Sequence, residues 1–182
     1  VGEEKTYTFI EALIKTMKEA FQTKKIHIGM DEAWTLGSGQ YLKKHGYHTQ
    51  FDIMTEHLGK VLKIVEKYDL EPLMWSDMFY RATSKTGDYY DPECEITPEM
   101  IEKIPAVELT LWDYYHTDQP LVEKLLASHF TLSKKVSFAG GVWTWNGIAP
   151  NYGKTLETTR ATLSACKKMH VEDIYITLWG DD

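Results

Sequence analysis

The stretch KKIHIGMDEAW, Lys24 to Trp34, sets two carboxylates, Asp31 and Glu32, side by side at the end of a short apolar alternation. Neighbouring side chains on a continuing strand point to opposite faces, and on a helix they diverge by roughly 100°. Two adjacent acids can serve one bound molecule if the strand has ended and both sit on the loop beyond it. Four further apolar runs close in a comparable way: in Trp75, Ser76 and Asp77; in Trp112, Asp113, Tyr114 and Tyr115; in Trp143, Trp145 and Asn146; and in Trp179, Asp181 and Asp182. Acids or amides recurring beside indole rings suit a pyranose. Its apolar C–H face packs on Trp or Tyr, its hydroxyls need directed partners, and a carboxylate accepts bonds from two hydroxyls at once.

Other ligand classes fit less well. A nucleotide site needs a Gly-rich phosphate cradle or a basic cluster, and the Gly140-Gly141 pair of FAGGVW matches neither fingerprint. His27, Asp31 and Glu32 lie close in sequence, but no HExxH spacing exists, and His45, His48 and His57 fall in a separate loop and helix. No metal and no cofactor are therefore expected. His27 reads as a strand histidine, buried and hydrogen-bonded beneath the acids.

The elements that must position these residues alternate. YTFIEALIKTMKEAF reads as a helix with Phe9, Leu13, Met17 and Phe21 on its apolar side, and KIHIGM as a short strand. A second helix runs from Asp52, a plausible N-cap, to Tyr68, with Ile53, Leu58, Val61, Leu62 and Val65 inward. EPLMWSD is a strand, Thr83 to Glu95 a loop, and TPEMIEKI a short helix capped by Thr97 with Pro98 in its first turn. AVELTLWD, KVSFAGGVW and DIYITLWG complete a set of five strands, separated by the helical QPLVEKLLASHF and TLETTRATLSACKKM. Strands alternating with helices imply βαβ units and a parallel sheet, either open and doubly wound or part of a (β/α)8 barrel. Ligands in both architectures sit beyond the carboxyl ends of the strands, where the acids and tryptophans cluster. A complete barrel usually needs about 250 residues, whereas this chain has 182 and five strands, so a portion of a barrel is expected.

Composition narrows the partners. The formal net charge of −7 argues against nucleic acid, which recruits basic surfaces. No Lys/Arg block suggests an anionic membrane, and no apolar run approaches the roughly 20 residues that span a bilayer. Cys94 and Cys166 are too few for a disulfide scaffold, which favours a reducing, cytoplasmic setting over secretion. Six Trp and eleven Tyr are the compositional oddity.

HIGMDE, His27 to Glu32, resembles the H-x-G-G-D-E signature of the family 20 glycoside hydrolases, the β-N-acetylhexosaminidases. LMWSD, LTLWDYY, GGVWTWNG and ITLWGDD follow in the order in which that family's later barrel strands carry pocket tryptophans. The resemblance implies that residues 1–182 are the C-terminal portion of a glycoside hydrolase catalytic barrel, an α/β fold holding roughly strands four to eight with their helices. It implies substrate-assisted, retaining hydrolysis of terminal β-linked N-acetylhexosamine from glycans, with Glu32 as acid and base and Asp31 orienting the acetamido group. Trp75, Trp112, Trp145, Trp179 and Asp181 would line the sugar site, and Tyr114 or Tyr115 would bond the acetamido oxygen. Met30 stands where the family has its second glycine, and Asp181 where many members have glutamate. The arginine that grips the sugar in this family comes from an early strand and has no counterpart here: Arg81 reads as a solvated loop residue and Arg160 as structural. The alternative is a non-catalytic carbohydrate-binding domain on the same scaffold. A half-barrel would also leave apolar strand edges that favour self-association.

Overall fold

The computed structural model describes residues 1–180, which form two compact units, one spanning Val1–Val107 and the other beginning at Glu108. Asp181, expected to contact sugar, lies outside the described residues. The first unit carries α1 (Glu4–Ala20), β1 (Lys25–His27), α2 (Gln40–His45), α3 (Gln50–Lys67), β2 (Glu71–Trp75), α4 (Asp77–Arg81) and α5 (Pro98–Lys103). The second carries β3 (Glu108–Trp112), α6 (Gln119–Leu132), β4 (Val136–Gly141), α7 (Tyr152–Lys168) and β5 (Ile174–Thr177). The expected strands and longer helices are present in the expected order, and the short helices α2 and α4 are added to them.

In the first unit β1 runs parallel to β2, with Lys25 opposite Glu71 and His27 opposite Leu73. The pairing outlasts the regular strand. Ile28 donates to the Leu73 carbonyl at 2.9 Å, and the Gly29 carbonyl accepts from Trp75 at 3.0 Å. The chain is therefore held to its neighbour up to the residue before Met30. Helix α3 covers the pair with Leu58, Val61 and Val65, all almost wholly buried. Its N-cap is Thr49 rather than Asp52: the Thr49 hydroxyl accepts the Asp52 N–H at 3.1 Å and donates to the Asp52 carboxylate at 2.7 Å. Asp52 thus lies three residues past the cap, with its carboxylate accepting the cap's hydroxyl rather than the cap's main-chain N–H. At α5 Thr97 caps and Pro98 opens the helix, as expected.

Helix α1 departs from its sequence pattern. Ile14 is buried, and Tyr7 and Ile10 pack beside it against Val61, Ile64 and Val65 of α3. Phe9, Leu13, Met17 and Phe21, the expected core side, are instead 64%, 51%, 45% and 56% exposed. The helix has two apolar stripes, and α3 covers only the one through Ile10 and Ile14. An apolar groove of about 550 Å³ opens between the uncovered side and β1, lined among others by Leu13, Met17, Ile26, Ile28 and Met30.

In the second unit β3, β4 and β5 are parallel, with Leu109 opposite Val136 and Phe138 opposite Ile174. β4 is buried along its whole length and β3 over all but Trp112, as a strand covered on both faces should be. Leu125 and Leu126 of α6 and Ala165 and Cys166 of α7 supply the covering side chains. β5 is different: Ile174, Tyr175 and Ile176 are all exposed, so the apolar run there does not signal burial.

These burial differences separate core from surface in a measurable way. Leu58→Ala removes a side chain with no solvent exposure and should cost about 2–5 kcal/mol in denaturant unfolding. Phe9→Ser together with Met17→Ser should leave that midpoint nearly unchanged, yet lower light scattering of concentrated protein.

Candidate active site

Beyond Gly29 the backbone turns sharply. Met30 has φ +80° and Glu32 φ +49°, left-handed values that side-chain-bearing residues seldom adopt. This turn reconciles two adjacent acids with one loop: both Asp31 and Glu32 are exposed, immediately past the end of β1. The loop is fixed through its main chain. The Glu32 N–H donates to Asp77 Oδ2 at 3.0 Å, and Asp77 is wholly buried at the start of α4. Asp77, the acid that closes β2, is therefore an anchor for the loop. Trp75, half-buried at the same strand end, lays its ring 4.3 Å from the His27 imidazole. His27 is not buried beneath the acids. It is exposed at the last position of β1, and its Nδ1 accepts the Gly29 N–H at 3.1 Å.

Two residues not expected at the site complete this side. Tyr89, in the loop after α4, donates its hydroxyl to Glu32 Oε1 at 3.1 Å. Burial, then the hydrogen bond to Glu32 and that carboxylate's negative charge, push the phenol up to about 12. Arg81 is no solvated loop residue. Its guanidinium lies 5.3 Å from the Trp34 ring centroid and 5.6 Å from that of Tyr89, and Nη1 donates to the Gly87 carbonyl. A motif reading could not find Tyr89, since 57 positions separate it from Glu32. The only signal was a tyrosine pair in a loop rich in turn residues.

The second unit gathers the remaining aromatic candidates. Trp112 and Tyr114, alternate residues at the end of β3, stack at 5.5 Å. The Trp145 ring meets Tyr114 edge-on at 5.3 Å, and the Trp179 ring does so at 6.4 Å. The second glycine of the β4 pair, Gly141, is required by close packing: a Cβ there would sit 2.8 Å from Trp145 and 2.9 Å from Tyr114. Trp143 is structural. It is buried, it stacks on Trp145, and its Nε1 donates to the Tyr114 carbonyl at 2.7 Å. Tyr115 is half exposed and meets Trp143 edge-on at 5.4 Å. Asp113 is buried and accepts the Tyr115 and His116 N–H groups at 2.9 and 3.1 Å. It also bonds His116 Nδ1 at 2.7 Å, a contact that raises the imidazole's proton affinity.

The model of the glycosyl hydrolase family 20 catalytic domain matches residues 1–130. The chain belongs to that family. Over 95 residues it is 30% identical to the β-hexosaminidase subunit beta of Entamoeba histolytica, an alignment covering 46% of this chain and 16% of that one. Its fold is similar to that of the β-N-acetylhexosaminidase of Bacteroides fragilis, with a TM-score of 0.60 at 14% identity, covering all of this chain and 36% of that one. It is similar also to the glycoside hydrolase domain of PgaB from Bordetella bronchiseptica, with a TM-score of 0.55 at 11% identity, covering 99% and 58%. The family 20 chain is thus α/β, a portion of a (β/α)8 barrel, and spans about a sixth of the curated relative it matches and about a third of the Bacteroides structure.

Met30 shows how this family 20 chain accommodates its altered signature. A side chain at positive φ costs about 1–2 kcal/mol where glycine costs nothing, and glycine elsewhere is the weaker choice by about 0.5–1 kcal/mol because its unfolded chain is freer. Met30→Gly should therefore be more stable than Met30→Ala, by about 1 kcal/mol in urea unfolding. The reverse order would mean that the φ of +80° is not retained in solution.

Proposed function

We propose that the protein carrying these residues removes terminal, non-reducing β-linked N-acetylhexosamine from glycans by retaining, substrate-assisted hydrolysis. The observation that carries this reading is the adjacent pair Asp31 and Glu32, both exposed on a loop whose backbone Asp77 fixes. Membership of family 20 and the hexosaminidase names of the relatives support it. Glu32 protonates the glycosidic oxygen as the leaving group departs, then takes a proton from the incoming water. The nucleophile is the carbonyl oxygen of the substrate's own acetamido group, which closes on the anomeric carbon from the opposite face. Asp31 accepts the acetamido N–H, orients that group and offsets the positive charge of the cyclic intermediate. Trp75, Trp112, Trp145 and Trp179 supply apolar surface for the sugar ring and the acetamido methyl. Of the two tyrosines, Tyr114 is the better candidate for the acetamido oxygen, because its ring is the one set among Trp112, Trp145 and Trp179.

Internal participation gives a direct test. An aryl β-N-acetylglucosaminide should be hydrolysed with retention, and the matching β-glucoside more than about a thousandfold more slowly, since an intramolecular nucleophile acts at a very high effective concentration. Equal rates on the two would sink acetamido participation.

The two acids should separate by leaving group. Glu32→Gln should cost least on substrates whose aryloxide barely needs protonation, whereas Asp31→Asn should slow all substrates alike. Identical leaving-group dependence in the two variants would show that the roles are not divided in this way. Binding of N-acetylglucosamine with no turnover of any glycoside would favour a carbohydrate-binding domain.

A further inference from the structure

We propose that Tyr89 is a positioning residue for Glu32, its hydroxyl holding Oε1 so that Oε2 is presented to the glycosidic oxygen and then to water. This rests on the reading of Glu32 as the acid and base of the reaction. The contact is a hydroxyl donating to a carboxylate at 3.1 Å, a charge-assisted bond stronger than a neutral one. The loop that delivers the hydroxyl is built to hold it still. Ser84 Oγ accepts the N–H groups of Thr86 and Gly87 at 3.1 and 3.0 Å and donates to the Asp91 carboxylate at 2.6 Å. The next residue, Tyr90, is buried with φ +48°, and its hydroxyl accepts from Ser76 Oγ at 3.2 Å. Ser76 directly follows β2, so Tyr90 ties the loop to the strand end while Tyr89 faces the acid. The Tyr89 ring itself is confined by the Trp34 edge, 6.2 Å between centroids, and by the Arg81 guanidinium. With the phenol pushed up to about 12, the hydroxyl keeps its proton and stays a donor wherever the protein is folded at ordinary pH.

A role in packing alone would belong to the ring, and a role in positioning belongs to the oxygen. Tyr89→Phe separates them, because it leaves the ring against Trp34 and Arg81. The first measurement needs no turnover: the full chain is labelled with 13C at the tyrosine ζ carbon, and the Tyr89 signal is recognised by its loss in Tyr89→Phe. That signal should move in Glu32→Gln and stay in place in Asp31→Asn. A signal unmoved in Glu32→Gln overturns the proposal. The second is kinetic, on the protein that carries the chain. Tyr89→Phe should lower kcat about tenfold on N-acetylglucosaminides with poor leaving groups, hold KM within about twofold, and barely affect activated aryl substrates, the signature of a misplaced proton donor. Equal loss on both substrate types, or no loss, overturns the proposal as well. Failure of the unsubstituted protein to hydrolyse either substrate would instead overturn the hydrolase reading, and the carbon signal would still decide whether Tyr89 and Glu32 are paired.

Discussion

The buried carboxylate of Asp77 accepts the main-chain N–H of Glu32, and the geometry of the acid loop depends on that bond. A carboxylate removed from water is costly unless hydrogen-bonded, so Asp77 cannot release its partners cheaply. Because the bond goes to the backbone, the Glu32 side chain is fixed at its root while its carboxylate stays outside that anchor, with Oε1 accepting the Tyr89 hydroxyl. The same bond ties the loop after β1 to the end of β2, continuing a ladder that already runs through Ile28 and Gly29. With the chain held on both sides of Met30 and Asp31, the left-handed angles at Met30 and Glu32 are over-determined by their surroundings. Strain of this kind persists only under such constraint.

Asp113 does for the second unit what Asp77 does for the first. It too is a buried acid just past a strand end, one residue beyond β3 where Asp77 is two beyond β2, and it too accepts main-chain N–H groups, those of Tyr115 and His116. The acids at strand ends therefore fall into two kinds. Asp31 and Glu32 are exposed and available to a ligand, whereas Asp77 and Asp113 satisfy backbone donors where a strand gives way to a loop. Residue type does not distinguish them, since all four follow apolar runs. What decides is whether main chain lies over the acid with N–H groups that need an acceptor, from the loop after β1 at Asp77 and from the acid's own following residues at Asp113.

The legible part of the sequence was the part governed by period and by caps. Helices, strands and their order followed from apolar spacing, and Thr97-Pro98 marked the start of α5. Spacing could not say which apolar stripe would find a neighbour. On α1 the stripe through Phe9, Leu13, Met17 and Phe21 is as regular as the one through Ile10 and Ile14, but α3 meets only the latter. Helix α2 was missed for a different reason: it has six residues, and its N-cap is Gly39, which offers no side-chain cap. Arg81 was misjudged because a cation in a polar loop usually faces water, whereas here two aromatic rings lie within reach of its guanidinium. For α1 and Arg81 the missing information was tertiary, and for α2 it was the lack of a local signal.

Adjacent residues sharing a task recur in this chain, and the physical solution recurs with them. Asp31 and Glu32 are separated in direction by left-handed backbone at Met30 and Glu32. Tyr89 and Tyr90 are separated by left-handed backbone at Tyr90, which sends one ring toward Glu32 and buries the other against Tyr80 and Ser76. Tyr114 and Tyr115 divide without strain, one 5% and the other 50% exposed, because β3 has just ended and Asp113 turns the chain through its two N–H bonds. Each tyrosine pair thus divides into a more buried member and a more exposed one. For the acids both members face outward, and the anchoring falls to Asp77 on another element. That difference is what leaves two carboxylates, rather than one, at the end of β1.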